Sequence, residues 1–406
     1  MIPMPQNFDA LRYRVGNPAV LARMEHIKPR APFDDEILAF LQTFSRTLLS
    51  QVASRHYSDV ISLAFWCRKS ALRQMKEKYA TRDTLLGRGV AFHIAPSNVA
   101  VNFAYSLLAG LLTGNANIVR LPSKKFPQVD VICQALNLAL EEHDAIRELI
   151  CLVEYNHEED ITQAFSSVCQ ARLIWGGDRT IAHIRKSSLS PRAVDIAFAD
   201  RYSICAINAD YYLAAENKRR IAEDFFNDTL LTYQQACTAP KLVVWMGDQI
   251  SIAAAREQFW TNLHSFLSDK PIPEAVAVVS AMENYCRSAA LDPRLKYIAA
   301  PTRRFLRVEA SEVTQKMLEE HRGNGLFYEW LVDDILDIMP VCGEKCQTLA
   351  TLGVAQQALI RLIIHGAPKG IDRIVPVGQT MDFSLHWDGY NLLKMLTRTL
   401  VVQPGI

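Results

Sequence analysis

From about residue 88 to residue 208 the chain alternates short apolar runs with stretches of helical period, which constrains its fold more than any other feature. GVAFHIAP reads as a buried strand ended by proline. VAVNFAYSLLAGLLTGN reads as a helix stopped at Gly114 and Asn115, and ANIVRLP as the next strand. PQVDVICQALNLALEEH, ITQAFSSVCQ and GGDRTIAHIRKS have helical period, and ELICLVEY, ARLIW, RAVDIAFA and SICAIN read as strands. Strands alternating with helices of this length build βαβ units around a parallel sheet, which binds ligands at the carboxyl ends of its strands.

Upstream, residues 35–80 read as helix, with Ile37, Leu38, Phe40, Leu41, Phe44, Leu48 and Leu49 on the apolar face. A second α/β unit begins near residue 211. There RRIAEDFFNDTLLTYQQ reads as an amphipathic helix, KLVVW as a strand and SIAAAREQFWTNLHSFLSD as a helix. The final stretch, GIDRIVPVGQTMDFSLHWDGYNLLKMLTRTLVV, reads as strand, turn, short helix and strand. A chain of 406 residues, half of them hydrophobic, has room for two or three domains. Its formal net charge of +1 gives no global attraction to nucleic acid or membrane. The most apolar long stretch, Asn98 to Val119, carries four asparagines and two glycines and is too interrupted to span a bilayer. The amino-terminal MIPMPQNFDALRYRVGNP lacks the apolar core of a secretory signal, so the expected location is the cytoplasm. Nine cysteines form no CxxC, and the closest pair is Cys342 and Cys346. Neither a disulfide framework nor a metal site is expected, and the thiols suit a reducing compartment.

Four places can carry chemistry. Gly176 and Gly177 stand between a strand and a helix, where backbone amides can approach a phosphate, although a plain strand-to-helix turn uses the same residues. No GxGxxG fingerprint is present. Asn98 follows a strand end and opens a helix. Its amide can donate to a developing oxyanion, or Ser97 and Asn98 can simply cap that helix. In RLPSKK, Arg120, Ser123, Lys124 and Lys125 follow a strand and suit a phosphate as well as they suit a solvated loop. Cys237, in LLTYQQACTAPKLVVW, sits at a helix–strand junction among small residues, a place for a nucleophile held by rigid elements. The carboxyl end of a helix opposes a thiolate, so a reactive Cys237 needs loop amides or a nearby cation. His93 and His365 lie in apolar runs and suit core or loop positions better than catalytic ones.

Together, in this order, these pieces resemble the aldehyde dehydrogenase superfamily, and within it the LuxC-like acyl-CoA reductases. IAPSNVAVNFAYSLLAGLLTGNANIVRLPSKK, RLIWGGDRTIAHIR, QQACTAPK and GIDRIVPVGQTMDFSLHWDGYNLL carry the likeness, which covers about residues 85 to 400. The resemblance implies two Rossmann-type α/β domains with a small β oligomerisation extension. Residues 1–208 would form an amino-terminal helical segment and the nucleotide domain. Residues 209–375 would form the catalytic domain, and 376–406 a segment returning to the nucleotide domain. It implies NADPH-dependent reduction of an acyl thioester, acyl-CoA or carrier-bound, to an aldehyde, with Cys237 as nucleophile and Asn98 as oxyanion donor. Cofactor contacts would come from Pro96, Ser97, Arg120, Ser123, Lys124, Gly176, Gly177 and Thr180. Ser123 stands where NAD-preferring relatives place a glutamate, which favours NADPH. The region corresponding to the water-activating glutamate of hydrolytic relatives reads RAVDIAFADRYS, without a glutamate. Thioester hydrolysis should therefore be slow. A hydrolytic aldehyde dehydrogenase, an acyl-phosphate reductase and a non-redox acyl-transfer module are the alternatives. The likeness also implies a homo-oligomer and an acyl-protein synthetase as partner. Asp372, Arg373, Trp387, Asp388 and Tyr390 lie in the last motif, where they could line a substrate channel or only close the core.

Overall fold

A computed structural model describes residues 11–300 and 302–403. Most of the amino-terminal stretch judged above for a leader, residues 1–10, lies outside the described residues. The chain forms two compact units, one of Met1–Ala199 with Leu385–Ile406 and one of Asp200–Ser384.

In the first unit the strands are β1 (Arg12–Val15), β2 (Thr84–Gly87), β3 (Val90–Ile94), β4 (Ala116–Arg120), β5 (Ile150–Glu154), β6 (Ala171–Trp175) and β7 (Val194–Phe198). Six of them form a sheet in the order β1-β5-β4-β3-β6-β7. It is parallel throughout except for β1, which pairs antiparallel to β5. β3 and β6 are buried at every residue, as expected of strands covered on both faces. The chain builds outward from β3 through β4 to β5, then returns to lay β6 on the other side of β3. The order therefore reverses between β3 and β6, the position where such sheets open a crevice.

Helix Asn102–Leu112 is buried nearly all round, which explains its lack of a charged face. Beneath it, Gly110 faces Asn117, whose Oδ1 would lie 1.8 Å from an added Cβ. That asparagine accepts a hydrogen bond from His93 Nε2 at 3.0 Å, while Ser106 Oγ, 2.8 Å from His93 Nδ1, receives the indole N–H of Trp175. Both ring nitrogens of this fully buried histidine are thus satisfied, and burial lowers its pKa to about 4. His93 is a neutral core histidine. His365, by contrast, is exposed, in a π-helical turn at Leu362–Gly366. The helical reading of residues 35–80 resolves into helices Asp35–Ser50, Ser58–Trp66 and Lys69–Lys78. The first is capped by Asp34, which accepts from the amides of Glu36 and Ile37.

The second unit contains β8 (Tyr202–Asn208), β9 (Pro240–Met246), β10 (Lys296–Ile298), β11 (Leu306–Glu309), β12 (Leu326–Val332), β13 (Cys346–Leu352) and β14 (Arg373–Pro376). They form one sheet in the order β10-β11-β12-β9-β8-β13-β14, parallel except for the edge strand β10. One face packs on helices Lys218–Asp228 and Gln249–Leu267 through Phe225, Phe259 and Trp260. The other closes over Tyr202, Tyr328 and Leu349.

The chain then returns to the first unit through β15 (His386–Trp387), β16 (Tyr390–Asn391) and β17 (Thr397–Leu400). Asp388 and Gly389, both at positive φ, form the two-residue turn between β15 and β16, the backbone that an Asp-Gly pair favours. β17 pairs antiparallel with β2 as a separate two-stranded ribbon. The return is fixed by Asn115, whose side-chain amide donates to Leu396 O at 3.0 Å, and by Tyr390, whose ring meets Phe198 edge-on.

Candidate active site

In the first unit, the residues expected to meet a cofactor fall at the carboxyl ends of three adjacent strands. Ile94 is in register with Arg120 on one side and Ile174 on the other. The loop of Pro96, Ser97 and Asn98, the RLPSKK loop and the Gly176–Gly177 turn therefore start side by side at the reversal of strand order. Ser97 Oγ and Ser123 Oγ lie 3.0 Å apart and join the first two loops. Thr180 packs its methyl group against Gly176, 3.1 Å from where a Cβ would stand. A Cβ on Gly177 would meet nothing within 4 Å, so internal packing does not require glycine there and its backbone is open to a ligand. Ser97, Ser123, Lys124, Gly177 and Thr180 are exposed, whereas Pro96 is buried. Hydroxyls, a lysine and an open glycine backbone suit a phosphate-bearing cofactor. The guanidinium of Arg120 donates to Asn156 O and lies 4.5 Å from the ring of Tyr155, so it is partly committed to the neighbouring loop after β5.

One expectation about this loop is corrected. Asn98 does not open the helix, which begins at Asn102 with Val101 as a cap that offers no side-chain bond. Neither Ser97 nor Asn98 caps it. Asn98 stands exposed in the loop four residues upstream. The intervening residues form a turn, closed by the amides of Asn102 and Ala104 on Val99 O and Val101 O.

In the second unit, the helix expected to run through QQ ends at Asp228, followed by a single 3₁₀ turn at Leu230–Thr232. Tyr233 and Gln234 then both take left-handed backbone, at φ 50° and 57°. Such conformations cost about 1–2 kcal/mol each for residues with a Cβ and persist only where the surroundings impose them. Here a glycine-rich loop, Arg322 to Gly325, imposes them. Asn324 donates its amide to Tyr233 O at 2.8 Å, and Gly325 donates to Gln234 Oε1 at 2.9 Å. The buried Gln234 amide returns bonds to Pro240 O and Leu326 O. Gly323, at φ +75°, passes so close that a Cβ would lie 2.8 Å from Tyr233 O.

Cys237 leaves this braced turn half-buried, just before β9. Its carbonyl accepts the Ser203 hydroxyl at 2.7 Å, and its sulfur accepts the side-chain amide of Gln347 at 3.4 Å. Of the nine cysteines seven are buried, and burial pushes Cys133, Cys151 and Cys169 up to about 12. Thiols in that condition are inert. Four residues after Cys237 stands Lys241, a mostly buried lysine whose ammonium donates to His321 O at 2.9 Å. Burial lowers its pKa, while the charges of Asp200 and Cys237 act in the opposite direction. His321 is buried and held neutral, its pKa driven well down by burial and by Lys241. Its Nε2 donates to Leu326 O and its Nδ1 accepts from the Gly323 amide.

A third loop, Val377 to Asp382, borders the cysteine. The buried carboxylate of Asp228 accepts the amides of Gly378 and Thr380 at 2.6 and 3.0 Å, and burial raises its pKa to about 6. Arg373 donates to Thr380 O, Gln379 O and Asp382 O, and Met381 Sδ accepts the hydroxyl of Thr238. Asp372 pairs with Arg201. Arg373 and Asp372 thus serve this loop and its base. Lys241, Gln347, His321 and Asp228 were not singled out from sequence. Only Lys241 had a local signal, a cation four residues from the cysteine.

Among solved structures, lactaldehyde dehydrogenase from Escherichia coli superposes with a TM-score of 0.64 at 14% identity, over 95% of this chain and 88% of that one. The 1-pyrroline-5-carboxylate dehydrogenase R100A mutant from Thermus thermophilus gives 0.64 at 12% identity, over 94% and 84%. The fold is that of the aldehyde dehydrogenases. The long-chain acyl-protein thioester reductase of Photorhabdus luminescens is 23% identical over 318 residues, 76% of this chain and 62% of that protein. Its namesake from Aliivibrio fischeri is 26% identical over 168 residues, 41% of this chain and 33% of that protein. The chain thus spans less than two thirds of the length of these relatives. A family model described as acyl-CoA reductase (LuxC) matches residues 21–399, and the chain belongs to that family.

Proposed function

We propose that this chain reduces an acyl thioester to an aldehyde, using NADPH and a covalent acyl group on Cys237. The support comes from Cys237 itself: it is neither sealed in a core nor carried on an open helix face, but mounted half-buried on a braced loop with an amide on its sulfur. The family match and the thioester-reductase names of the relatives point the same way.

In this reading the Cys237 thiolate attacks the acyl carbon. The bond from that carbon to the carrier sulfur breaks, and the carrier departs as its thiol after taking a proton. Asn98 is assigned the side-chain bond to the carbonyl oxygen while it bears negative charge. A nicotinamide cofactor, when bound, would supply a hydride for the acyl carbon. Collapse of the resulting hemithioacetal frees the aldehyde and restores the Cys237 thiolate. Ser97, Ser123, Lys124, Thr180 and the Gly176–Gly177 backbone are assigned to the cofactor, with Pro96 and Arg120 shaping the crevice. Neutral Ser123 beside Lys124 and Lys125 leaves room for a 2′-phosphate. Self-association is assigned to the β2–β17 ribbon, which continues into exposed Val401 and Val402.

The test is NADPH consumption with acyl-CoAs and acyl-carrier thioesters of graded length, in wild type and Cys237→Ala. Wild type should consume NADPH and yield aldehyde, and Cys237→Ala should do neither. Full reductase activity in Cys237→Ala would sink the assignment. Acyl loading without NADPH consumption would identify a transfer module instead.

A further inference from the structure

Resting on the assignment of Cys237 as nucleophile, the loop from Val377 to Asp382 acquires a role. It belongs to the last of the sequence motifs, GIDRIVPVGQTMDFSLHWDGYNLL. Its backbone is gripped from two sides. Asp228 accepts the amides of Gly378 and Thr380 on separate carboxylate oxygens, at 2.6 and 3.0 Å. Arg373 donates to the carbonyls of Gln379, Thr380 and Asp382 at 3.3, 3.0 and 3.2 Å. Gly378, at φ +95°, passes so close to helix Lys218–Asp228 that a Cβ would lie 2.8 Å from that of Asp224. Amides and carbonyls engaged together fix the path of the loop. So fixed, it delivers one side chain to the nucleophile segment: Met381 Sδ accepts the hydroxyl of buried Thr238 at 3.1 Å.

The two anchors bracket the nucleophile. Asp228 ends the helix ahead of the left-handed turn at Tyr233 and Gln234, and Thr238 follows Cys237 directly. The loop is therefore a strap across this segment. Asp228 is a costly anchor for it, being buried and at the carboxyl end of a helix, where the dipole opposes a negative charge. The two strap amides offset those costs. A carboxylate can accept on both oxygens, whereas the amide side chain of asparagine has one acceptor and turns a donor toward the other N–H.

We propose that Asp228 is a positioning residue for the nucleophile: through the strap of Gly378 to Met381 it holds Thr238, and with it Cys237, in place against Gln347. Gln347 donates its side-chain amide to the Cys237 sulfur at 3.4 Å. A hydrogen bond to a thiolate favours the charged form, so a cysteine that drifts from Gln347 becomes a weaker acid.

The experiment uses the full chain without substrate. Cys237 is alkylated with iodoacetamide between pH 6.5 and 10, where Asp228 is mostly ionised, and its peptide is quantified by mass spectrometry. Exposed Cys286 is the internal reference. Met381→Leu keeps the volume and removes the acceptor of Thr238. Asp228→Asn keeps the shape and turns an amide N–H against one strap amide. In each, the Cys237 inflection should move up and its rate at pH 7 should fall about tenfold, the change that one pKa unit produces, while Cys286 keeps its wild-type profile. The double variant should fall no further than the larger single one, because both changes break the same chain of contacts. Should Asp228→Asn fail to fold, Gly378→Ala takes its place, since its Cβ presses on Asp224 and lifts the strap from the same carboxylate. An Asp228 that only stabilises the fold would lower the melting temperature and leave the Cys237 profile in place, which overturns the proposal. So does an unmoved profile in Met381→Leu, or additive losses in the double variant. Failure of the reductase assignment is read separately, from activity in Cys237→Ala, because the alkylation profile requires no turnover.

Discussion

Replacing Glu329 with glutamine should destabilise the second unit by about 3 kcal/mol. Glu329 is fully buried on β12 and accepts four hydrogen bonds. Oε2 receives Trp245 Nε1 and Trp260 Nε1 at 2.9 Å and Arg256 Nε at 3.0 Å, and Oε1 receives Arg307 Nε at 2.7 Å. These donors come from β9, helix Gln249–Leu267 and β11, so one carboxylate ties together the layers that carry the nucleophile loop. Glutamine offers one acceptor oxygen. Placed to keep three bonds, it turns an amide N–H against Arg307 and leaves two guanidinium groups short of a counter-charge. Removing one partner of a buried ion pair costs about 3–5 kcal/mol. Arg256 keeps Glu309 at 2.7 Å, which puts the expected loss at the lower end.

For a unit of this size, about 2–4 °C of melting temperature accompanies each kcal/mol, so the shift should be roughly 6–12 °C by tryptophan fluorescence at pH 7.5. Burial alone would raise the Glu329 pKa, but the charges and hydrogen bonds of Arg307 and Arg256 outweigh it and hold it below its ordinary 4.5. A carboxylate whose folded pKa is depressed contributes fully above the unfolded value and loses that contribution as pH falls through the folded one. The gap between wild type and variant should therefore be complete above pH 4.5 and narrow below it. Replacing all three partners with Met or Leu (Glu329→Met, Arg256→Met, Arg307→Leu) should cost less than the single change, because it also removes the stranded charges. A single variant melting within about 2 °C of wild type at pH 7.5 would refute the argument.

Gly323→Ala should lower stability by about 1–3 kcal/mol, because an alanine at φ +75° is strained and its Cβ would press on Tyr233 O; thermal melts check this, and Cys237 alkylation should slow as the loop loosens. His93 should show no protonation above about pH 5 in imidazole NMR spectra. Its neutral form is favoured on folding, so its contribution, about 3 kcal/mol, is complete above pH 6.5 and is lost as pH falls toward 4. Ser123→Glu should turn cofactor preference from NADPH toward NADH, read as the ratio of kcat/KM values, and an unchanged ratio would remove Ser123 from the cofactor site.

The fold was legible because both sheets are parallel apart from one edge strand each, and their central strands are buried on both faces. A strand such as Val90–Ile94, buried at every residue, must be a continuous apolar run, and the helices between such strands announce themselves by period. The irregular parts were not legible. The helix expected to run through Gln235 stops at Asp228 because of long-range bonds, from Gly325 to Gln234 and from Asn324 to Tyr233, across about ninety residues of sequence that carry no local sign of the contact. Asn98 read as a helix opener because Asn is a good cap, but the chain spends three further residues in a turn before Asn102. The same limit hid Gln347 and Asp228, whose roles depend on partners 110 and 150 residues away.

The early end of that helix also changes the electrostatic argument about Cys237. Read as the last turn of a helix, the cysteine would sit in a field that opposes a thiolate. In the structure eight residues lie between Asp228 and Cys237, and a helix dipole acts within its last turn. The objection therefore lapses. No helix begins at Cys237, and the side-chain amide that Gln347 donates to its sulfur is neutral. The buried cysteines show what burial does to a thiol: it drives the pKa of Cys67, Cys133, Cys151, Cys169 and Cys205 upward, even where Arg14 or Arg172 opposes it. On this chain the task of holding the cysteine in place thus passes from a regular helix to a loop braced by long-range hydrogen bonds.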